Sequence, residues 1–196
     1  MYNSLIVIPA RWQSSRLPGK PLRNLAGKPL IQWVIEAALK VPNADGILVA
    51  TDNKLVAACA DELGVMSEMT DINIRNGTER LLSVIHKYSS HVYINLQCDE
   101  PLASPHDISE CISILHSSKD EIVSLMHSIS GNMAQDPNRV KVVFSEDKRA
   151  LYFSREPIPH NAQFYWQHVG IYGFKSSILD ELGLLAPTSL ECLEGL

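Results

Sequence analysis

The chain has 196 residues, of which 45% are hydrophobic and 20% are charged, and its formal net charge is -5. This length and composition are those of one ordinary globular domain, or of one domain with a small extension. The negative net charge argues against a general nucleic-acid binder, which usually carries a basic face. No apolar run is long enough to cross a membrane, so membrane insertion is not expected. The chain begins with a strand-like segment instead of a signal sequence, which predicts a cytoplasmic protein.

Apolar runs and helix-like repeats alternate along the first two thirds of the chain. Continuous apolar segments predict buried strands, and apolar residues at helical spacing predict helices. The predicted strands are 5–8, 46–51, 92–96 and 122–126, and the predicted helices are 29–40, 55–63, 78–88 and a helix after Pro105. This alternation indicates an α/β fold with a mainly parallel sheet and helices on both faces.

The alternation ends at about residue 129. Strand candidates at 140–144, 150–153 and 169–174 follow with turns between them, and a short helix is predicted near Ile178. This part of the chain predicts a smaller mixed-sheet subdomain at about 129–175. Because there is no repeat or linker, we expect a single domain over residues 1–196.

The loop after the first predicted strand is basic although the protein is acidic. No acidic residue precedes Glu36, whereas Arg11, Arg16 and Lys20 all lie in the loop, among small residues, prolines and a glycine. Ligands of parallel sheets bind beyond the carboxyl ends of the strands, and converging cations and backbone amides suit a triphosphate. A solvated basic loop is the weaker interpretation. The GxxxxGK[ST] phosphate loop is absent.

Three more loops fall at predicted strand ends: 50–52, 76–80 and 97–101. Asp99 directly follows a strand, where a carboxylate commonly holds Mg²⁺ against phosphate oxygens, although a turn or helix-capping aspartate fits that motif alone equally well. For Thr51 and Asp52, capping of the next helix is favoured over ligand binding. Thr78 is predicted to cap the helix that follows it.

Polar residues in the second half suit an acidic ligand. Arg155 and His168 have the chemistry to clamp a carboxylate. A single histidine or tyrosine on such a strand is more often a core residue with a hydrogen-bond partner inside the protein than a ligand-binding residue. This holds for His168 and Tyr172 when each is considered alone.

Several motifs together resemble one family, and they occur in its order: PARWQSSRLPGKPL, ATD, NGTER, NLQCDEPL, ALYFSR, IPHN and HVGIYGF. Over nearly the whole chain the sequence is similar to the 3-deoxy-manno-octulosonate cytidylyltransferases, or CMP-KDO synthetases. The resemblance implies a Rossmann-like nucleotidyltransferase fold, usually in a homodimer. It also implies transfer of CMP from CTP to the sugar acid KDO, with Mg²⁺, for lipopolysaccharide biosynthesis.

The resemblance also assigns roles to residues of this chain. Those expected to hold the phosphates are Pro9, Ala10, Arg11, Ser14, Ser15, Arg16 and Lys20. Those expected around the cytidine are Ala50, Thr51, Asp52, Asn76, Gly77 and Thr78. Those expected to face the sugar acid are Gln97, Tyr152, Arg155, His168 and Tyr172. Lys20, Arg16 and Asp99 are the expected catalytic residues, and Asp99 is the expected metal ligand.

The sequence departs from the family pattern in two places. Cys98 stands where the family has glycine in NLQGDEP, so we expect its side chain to crowd the nucleotide or to alter the backbone. Members of the family normally continue beyond a segment like 189–196, and we expect the C-terminal part of the family fold, with a second metal-binding aspartate, to be missing. The alternatives are a related sugar-acid cytidylyltransferase, such as one for acylneuraminate, and a truncated nucleotide-binding remnant without catalysis.

Overall fold

The structure, a computed structural model, describes residues 1–13 and 17–196. The chain divides into two units, the first made of Met1–Val123 with Ile171–Leu184 and the second of Ser124–Gly170 with Leu185–Leu196. The subdomain predicted at about 129–175 overlaps the second unit. Among the described residues, the helices are all too short or too polar to cross a lipid bilayer.

Strands and helices alternate in the first part of the chain as predicted. The strands are β1 (Tyr2–Ala10), β2 (Asn24–Leu25), β3 (Lys28–Pro29), β4 (Gly46–Thr51), β5 (Met66–Met69), β6 (Ser90–Leu96), β7 (Ile122–Ser130), β8 (Lys141–Phe144), β9 (Ala150–Ser154) and β10 (Phe164–Lys175). The helices are α1 (Leu30–Ala38), α2 (Lys54–Glu62), α3 (Gly77–Leu82), α4 (Pro105–Ser117), α5 (Gly131–Ala134), α6 (Ser176–Leu184) and α7 (Ser189–Glu194), with a 3₁₀ helix at Lys20–Leu22.

The first unit is built on a mainly parallel sheet. Strands β5, β4, β1 and β6 lie side by side in that order and run parallel, and residues 171–175 of β10 pair antiparallel with β6. Side chains on one face, including Leu5 and Tyr93, pack with α3 and α6, and α4 covers the other face. At Gly173 the approach to α4 is so close that an added Cβ would lie 2.6 Å from Leu115 Cδ1. The prediction of an α/β fold with helices on both faces is confirmed.

The parallel register places several loops at one edge of this sheet. Ala10 of β1 pairs with Thr51 of β4, and Val7 of β1 pairs with Asn95 of β6. The loops that follow these strands therefore begin close together. They are the loops in which the sequence predicts the nucleotide site.

Some local predictions were wrong. Asn53, not Thr51 or Asp52, caps α2, because its side-chain oxygen accepts a hydrogen bond from Leu55 N at 2.8 Å. Asn76, not Thr78, caps α3 in the same way. Helix α3 ends well before the predicted residue 88. Strand β5 was not predicted because its sequence, MSEM, is short, polar and only partly buried.

The second unit has its own antiparallel pairing. Strands β8 and β9 pair antiparallel, and Gln167 of β10 pairs with Lys141 of β8. Ile129, Ala134 and Tyr165 form a small buried cluster. Helix α7 near the end of this unit begins with a capping box in which Thr188 and Glu191 satisfy each other's backbone amides.

Candidate active site

The base of the basic loop is held together by backbone contacts of Trp12. Gly19 N donates to Trp12 O at 3.0 Å, which joins the two ends of the loop. Gly19 has a left-handed φ of +67°, and a Cβ there would lie 3.2 Å from the Trp12 ring. A glycine is therefore favoured on both conformational and steric grounds. The predicted phosphate-binding residues Ser14, Ser15 and Arg16 lie outside the described residues.

A buried ion pair lies behind this loop. Asp52, which follows β4, accepts a hydrogen bond from Trp12 N at 2.7 Å and pairs with Arg80 of α3 at 3.2 Å. Both charged side chains are 2% exposed. Burial lowers the pKa of Arg80 and the negative charge of Asp52 opposes that shift, so the guanidinium stays protonated at neutral pH. The carboxylate of Asp52 thus serves two donors within the protein.

Two of the predicted catalytic residues meet at the strand ends. Lys20, the last residue of the basic loop, forms an ion pair through Nζ with the carboxylate of Asp99, which follows β6. Both side chains remain partly exposed, at 33% and 44%. This pair places a cation and a carboxylate, the groups that neutralise and organise phosphate oxygens, beside each other at the sheet edge.

Cys98 lies between β6 and Asp99. Desolvation raises the pKa of its thiol to about 12, with the negative charge of Asp99 adding to the shift and Lys20 opposing it. The thiol is therefore protonated at neutral pH and is not a nucleophile. Among the described residues, positive φ outside glycine occurs only at Ala26, Lys148 and Asn161, so Cys98 has an ordinary backbone conformation. The expectation that the Cys98 side chain crowds the nucleotide or alters the backbone relative to the family stays a prediction.

The start of α3 approaches β1 and β6 closely. A Cβ on Gly77 would lie 2.6 Å from Gln97 Nε2 and 3.1 Å from Pro9 Cγ. The bare backbone of Gly77 therefore lies against the side chains of two predicted site residues. Asn76 accepts a hydrogen bond from Glu79 N at 2.8 Å, so its side chain is engaged in capping.

The remaining predicted nucleotide-binding residues lie on or beside these elements. Pro9, Ala10, Ala50 and Thr51 are the buried last residues of β1 and β4. Thr51 Oγ1 donates to Ala10 O at 2.6 Å, so this hydroxyl ties the two strand ends together. The exposed Arg11 donates to Arg75 O at 2.8 Å, across to the loop before α3. Thr78 lies in the first turn of α3.

Tyr172 lies opposite Asn95 in the pairing of β10 with β6. Its ring stacks on Phe174 with centroids 6.2 Å apart, and burial together with the charge of Glu100 raises its pKa. Asn95 is fully buried, and within residues 1–13 and 17–196 neither polar atom of its side chain has a hydrogen-bond partner. A buried amide without partners is uncommon and costly, which marks this point of the sheet as unusual.

In the second unit, Arg155 and Tyr152 are bound by the chain's own C-terminal residues. Tyr152 OH lies 3.1 Å from one carboxylate oxygen of Glu194, and Arg155 N donates to the other at 2.9 Å. The guanidinium of Arg155 donates to the backbone oxygens of Pro137, Glu194 and Gly195 at 2.7–2.9 Å. All three guanidinium nitrogens are thus engaged.

His168 is a neutral, half-buried side chain of the second unit. Its Nε2 lies 2.8 Å from Ser124 Oγ, and its ring packs edge-on against Phe153 with centroids 5.1 Å apart. Desolvation lowers its pKa from 6.5 to about 4. At neutral pH, His168 therefore contributes hydrogen bonding but no positive charge, and the expected clamp of Arg155 and His168 on a carboxylate stays a prediction.

Sequence reasoning missed two buried cations. Arg80 is part of the NGTER motif, and its local pattern carried no signal of burial, since residues adjacent in a helix do not share a face. Lys141 of β8 is fully buried and donates through Nζ to Asp136 O at 3.2 Å and to Arg155 O. Its position between Val140 and Val142 in an apolar strand was the available signal.

Comparison with known proteins defines the class of enzyme to which this chain belongs. Residues 5–196 match the cytidylyltransferase family model. The structure superposes with a TM-score of 0.92 on a solved CMP:2-keto-3-deoxy-manno-octonic acid synthetase complexed with CTP, which is 40% identical; the match covers 98% of this chain and 82% of that one. A cytidylyltransferase from Leptospira borgpetersenii, 17% identical with a TM-score of 0.65, covers 97% of this chain and 68% of its own, and shares the fold.

Curated relatives narrow the class to one enzyme family. The 3-deoxy-manno-octulosonate cytidylyltransferase of Escherichia coli is 42% identical over 100% of this chain and 82% of its own length. The corresponding enzyme of Chlamydia trachomatis is 36% identical, over 97% of this chain and 78% of its own length. This chain belongs to the family of 3-deoxy-manno-octulosonate cytidylyltransferases, as the resemblance of its motifs implied.

Proposed function

We propose that this protein transfers CMP from CTP to KDO, releases pyrophosphate and forms CMP-KDO for lipopolysaccharide biosynthesis. The observation that carries this proposal is the 42% identity with the Escherichia coli enzyme over the whole chain. The ion pair of Lys20 with Asp99 at the strand ends supports it, because a phosphoryl-transfer site needs a cation and a carboxylate there.

In the proposed reaction, the anomeric hydroxyl of KDO attacks the α-phosphorus of CTP in line. The new bond joins the sugar oxygen to the α-phosphorus, the bond from that phosphorus to the bridging oxygen breaks, pyrophosphate leaves with the electron pair, and the hydroxyl proton is released to water. Lys20, and Arg16 by the family resemblance, neutralise charge on the departing phosphates. Positioning and electrostatics supply most of the rate enhancement, and no covalent enzyme intermediate is required.

We also propose Mg²⁺ as the cofactor, held by Asp99. The side chain of Asp99 suits this ion, because a carboxylate oxygen is a hard ligand and Mg²⁺ is a hard cation. The side chain is 44% exposed beside Lys20, so an ion can reach it. Mg²⁺ usually takes one or two protein carboxylates and completes its shell with phosphate oxygens and water, and when bound it neutralises triphosphate charge. In the described part of the chain, the one cluster of three potential ligands is His106, Asp107 and Glu110, exposed on α4, and it does not include Asp99.

For the nucleotide, we propose that the segments ending β1 and β4 and beginning α3 surround the cytidine and its phosphates. Gly77 supports this role, since its bare backbone lets the start of α3 pack directly against Pro9 and Gln97 at the ends of β1 and β6. For the sugar acid, we propose Gln97 and Tyr172 of the first unit. The guanidinium of Arg155 already donates to three backbone oxygens. A carboxylate that binds to Arg155 would therefore have to replace one or more of these oxygens as its acceptors.

The direct test is pyrophosphate release by the 196-residue chain with CTP, KDO and Mg²⁺. We expect release with CTP and not with ATP or GTP, and its loss on chelation of the metal. N-acetylneuraminate in place of KDO tests the related sugar-acid transferase, and activity with it alone would overturn the choice of KDO. Binding of CTP without turnover, in a sample that melts cooperatively, would identify a nucleotide-binding remnant.

We further propose a cytoplasmic homodimer formed through the region of about 129–175. Large apolar side chains exposed in this region support the interface, among them Phe164 at 68% and Leu151 at 63%. Sedimentation at micromolar concentration should give a dimer, and Phe164→Asp should shift it towards monomer. Leu55→Asp, at a residue 61% exposed on α2, is the matched control and should leave the dimer intact. A monomeric wild type would refute the proposal.

A further inference from the structure

Two loops of the first unit are tied to one side chain, Arg80. Its guanidinium bonds to Thr70 Oγ1 and lies 3.5 Å from both Asp71 O and Ile74 O, all in the segment leading to α3. The guanidinium also pairs with the carboxylate of Asp52 after β4, at 3.2 Å. Only the planar fork of arginine reaches several acceptors at once in this way.

The chain of contacts continues from Asp52 into the basic loop. Asp52 Oδ1 accepts Trp12 N at 2.7 Å, and Trp12 O accepts Gly19 N at 3.0 Å. The next residue, Lys20, forms the ion pair with Asp99. An uninterrupted path of hydrogen bonds and one peptide link thus runs from Arg80 to the predicted catalytic lysine.

Burying the ion pair of Arg80 and Asp52 costs free energy. Two charges removed from water lose their hydration, and well-packed apolar residues of similar volume are often as stable or more stable. What apolar residues would not supply is an acceptor for the Trp12 amide. The specific contribution of the pair is therefore the position and direction of that hydrogen bond at the base of the loop.

We infer that Arg80 is a positioning residue for the nucleotide site, acting through Asp52 and Trp12 on Gly19 and Lys20. The inference deepens the proposed function and rests on it for the identity of the ligand. Arg80 itself is buried and touches no substrate in this scheme. Loss of the pair loosens the contact between Trp12 and Gly19, so Lys20 no longer meets the triphosphate in a preorganised position.

The test is a paired replacement, Asp52→Leu with Arg80→Met, which removes both charges together. Two readouts are compared with the wild type: hydrogen exchange of the Trp12 amide in the ligand-free protein, and the Kd for CTP with Mg²⁺. We expect the Trp12 amide to exchange at least tenfold faster and the Kd for CTP to rise about tenfold. Once CTP is saturating, the KM for KDO should stay within about twofold of the wild type.

The matched control removes another ion pair from the same unit. Lys87 and Glu68 form a pair that is more exposed and has no hydrogen bond to the basic loop in the described residues. Lys87→Met with Glu68→Leu should leave both the Trp12 exchange rate and the Kd for CTP at wild-type values. Arg80→Lys is the second variant, because a single ammonium group does not serve all the acceptors of the guanidinium. It should move both readouts in the same direction by a smaller factor.

Several results would overturn the inference. The paired variant could fold and keep both the hydrogen-exchange rate of the Trp12 amide and the Kd for CTP of the wild type. The ion pair would then contribute to packing of the core alone. If the paired variant fails to fold, Arg80→Lys carries the same comparison. A Trp12 amide that exchanges in the wild type as fast as an open loop amide would also refute it, without any variant. A wild type that retains Trp12 protection but releases no pyrophosphate would instead refute the proposed function alone.

Discussion

The predicted site residues of the two units differ in what they contact. In the first unit, residues from separate loops meet at one sheet edge: Lys20 with Asp99, Trp12 with Asp52, and Gly77 with Gln97. In the second unit, Arg155 and Tyr152 are bound to Glu194 near the chain's own C-terminal end. Parallel strands bring their carboxyl ends together whatever the side chains are, whereas an antiparallel unit offers no such common edge. The first kind of site follows from topology, and the second depends on particular side-chain partners.

The largest expected effect comes from Lys20→Ala in the first unit. Removing one preorganised charge contact to a phosphate should cost about 2–4 kcal/mol in the transition state, or roughly 30- to 1,000-fold in kcat/KM. Thermal unfolding should change little, because the ion pair with Asp99 is partly exposed. Lys40→Ala, at an exposed lysine of the same unit, is the control. An unchanged kcat/KM in folded Lys20→Ala protein would remove Lys20 from the mechanism.

The second prediction concerns pH and His168 in the second unit. Its native pKa of about 4 lies below the ordinary 6.5, so between these values the unfolded chain binds a proton that the native protein does not. Stability is therefore lost as pH falls from about 6.5 to about 4, by about 3 kcal/mol from this residue. Urea unfolding at pH 7.5 and pH 4.5 should show His168→Gln losing less stability than the wild type.

Exposed His160 provides the control for that measurement. His160→Gln should follow the wild type across the same pH interval. Equal losses in the wild type and in His168→Gln would show that His168 is accessible to water in the native protein, and the burial argument would be wrong.

The third prediction asks whether Arg155 binds substrate or only holds the second unit together. Arg155→Met removes its guanidinium bonds to backbone oxygens of Pro137, Glu194 and Gly195, which should lower the free energy of unfolding by about 1–3 kcal/mol. If Arg155 also contacts the sugar acid, the KM for KDO should rise while the Kd for CTP is unchanged. Exposed Arg149→Met is the control. A wild-type KM for KDO in the folded variant would leave Arg155 with a structural role alone.

The smallest expected effect is that of Gly77→Ala at the start of α3. The new Cβ would lie 2.6 Å from Gln97 Nε2, so the end of this flexible side chain must move, and it would press on the Pro9 ring at 3.1 Å. Alanine is the better helix residue, so the net change in stability should stay within about 1 kcal/mol. The KM for CTP or KDO should rise several-fold. Gly183→Ala, with ordinary contacts on α6, should leave both KM values unchanged.

Local patterns were sufficient for much of the fold. Strand 46–51 and the helix after Pro105 were predicted at or near their observed bounds, because continuous burial and helical spacing leave a strong periodic signal. Strand β5, with its polar MSEM sequence, left no such signal, since its pairing with β4 stabilises it more than its own composition does. The helix caps were misassigned because several polar residues stand near each helix start, and only the backbone geometry selects Asn53 and Asn76.

The class of fold, the family and the loops in which the nucleotide site was predicted all followed from the order of residues in the chain. Motif order and strand-end position are properties of the chain, and the parallel topology converts them into a common location. The partners of the charged side chains, in contrast, could be read only from the folded protein. The fold pairs Arg80 with Asp52 in the core, Lys20 with Asp99 at the surface, and Arg155 with backbone oxygens. The physical reason is that a charged side chain takes whichever partner burial leaves within hydrogen-bonding distance, and residues distant in sequence become partners only when the chain is folded.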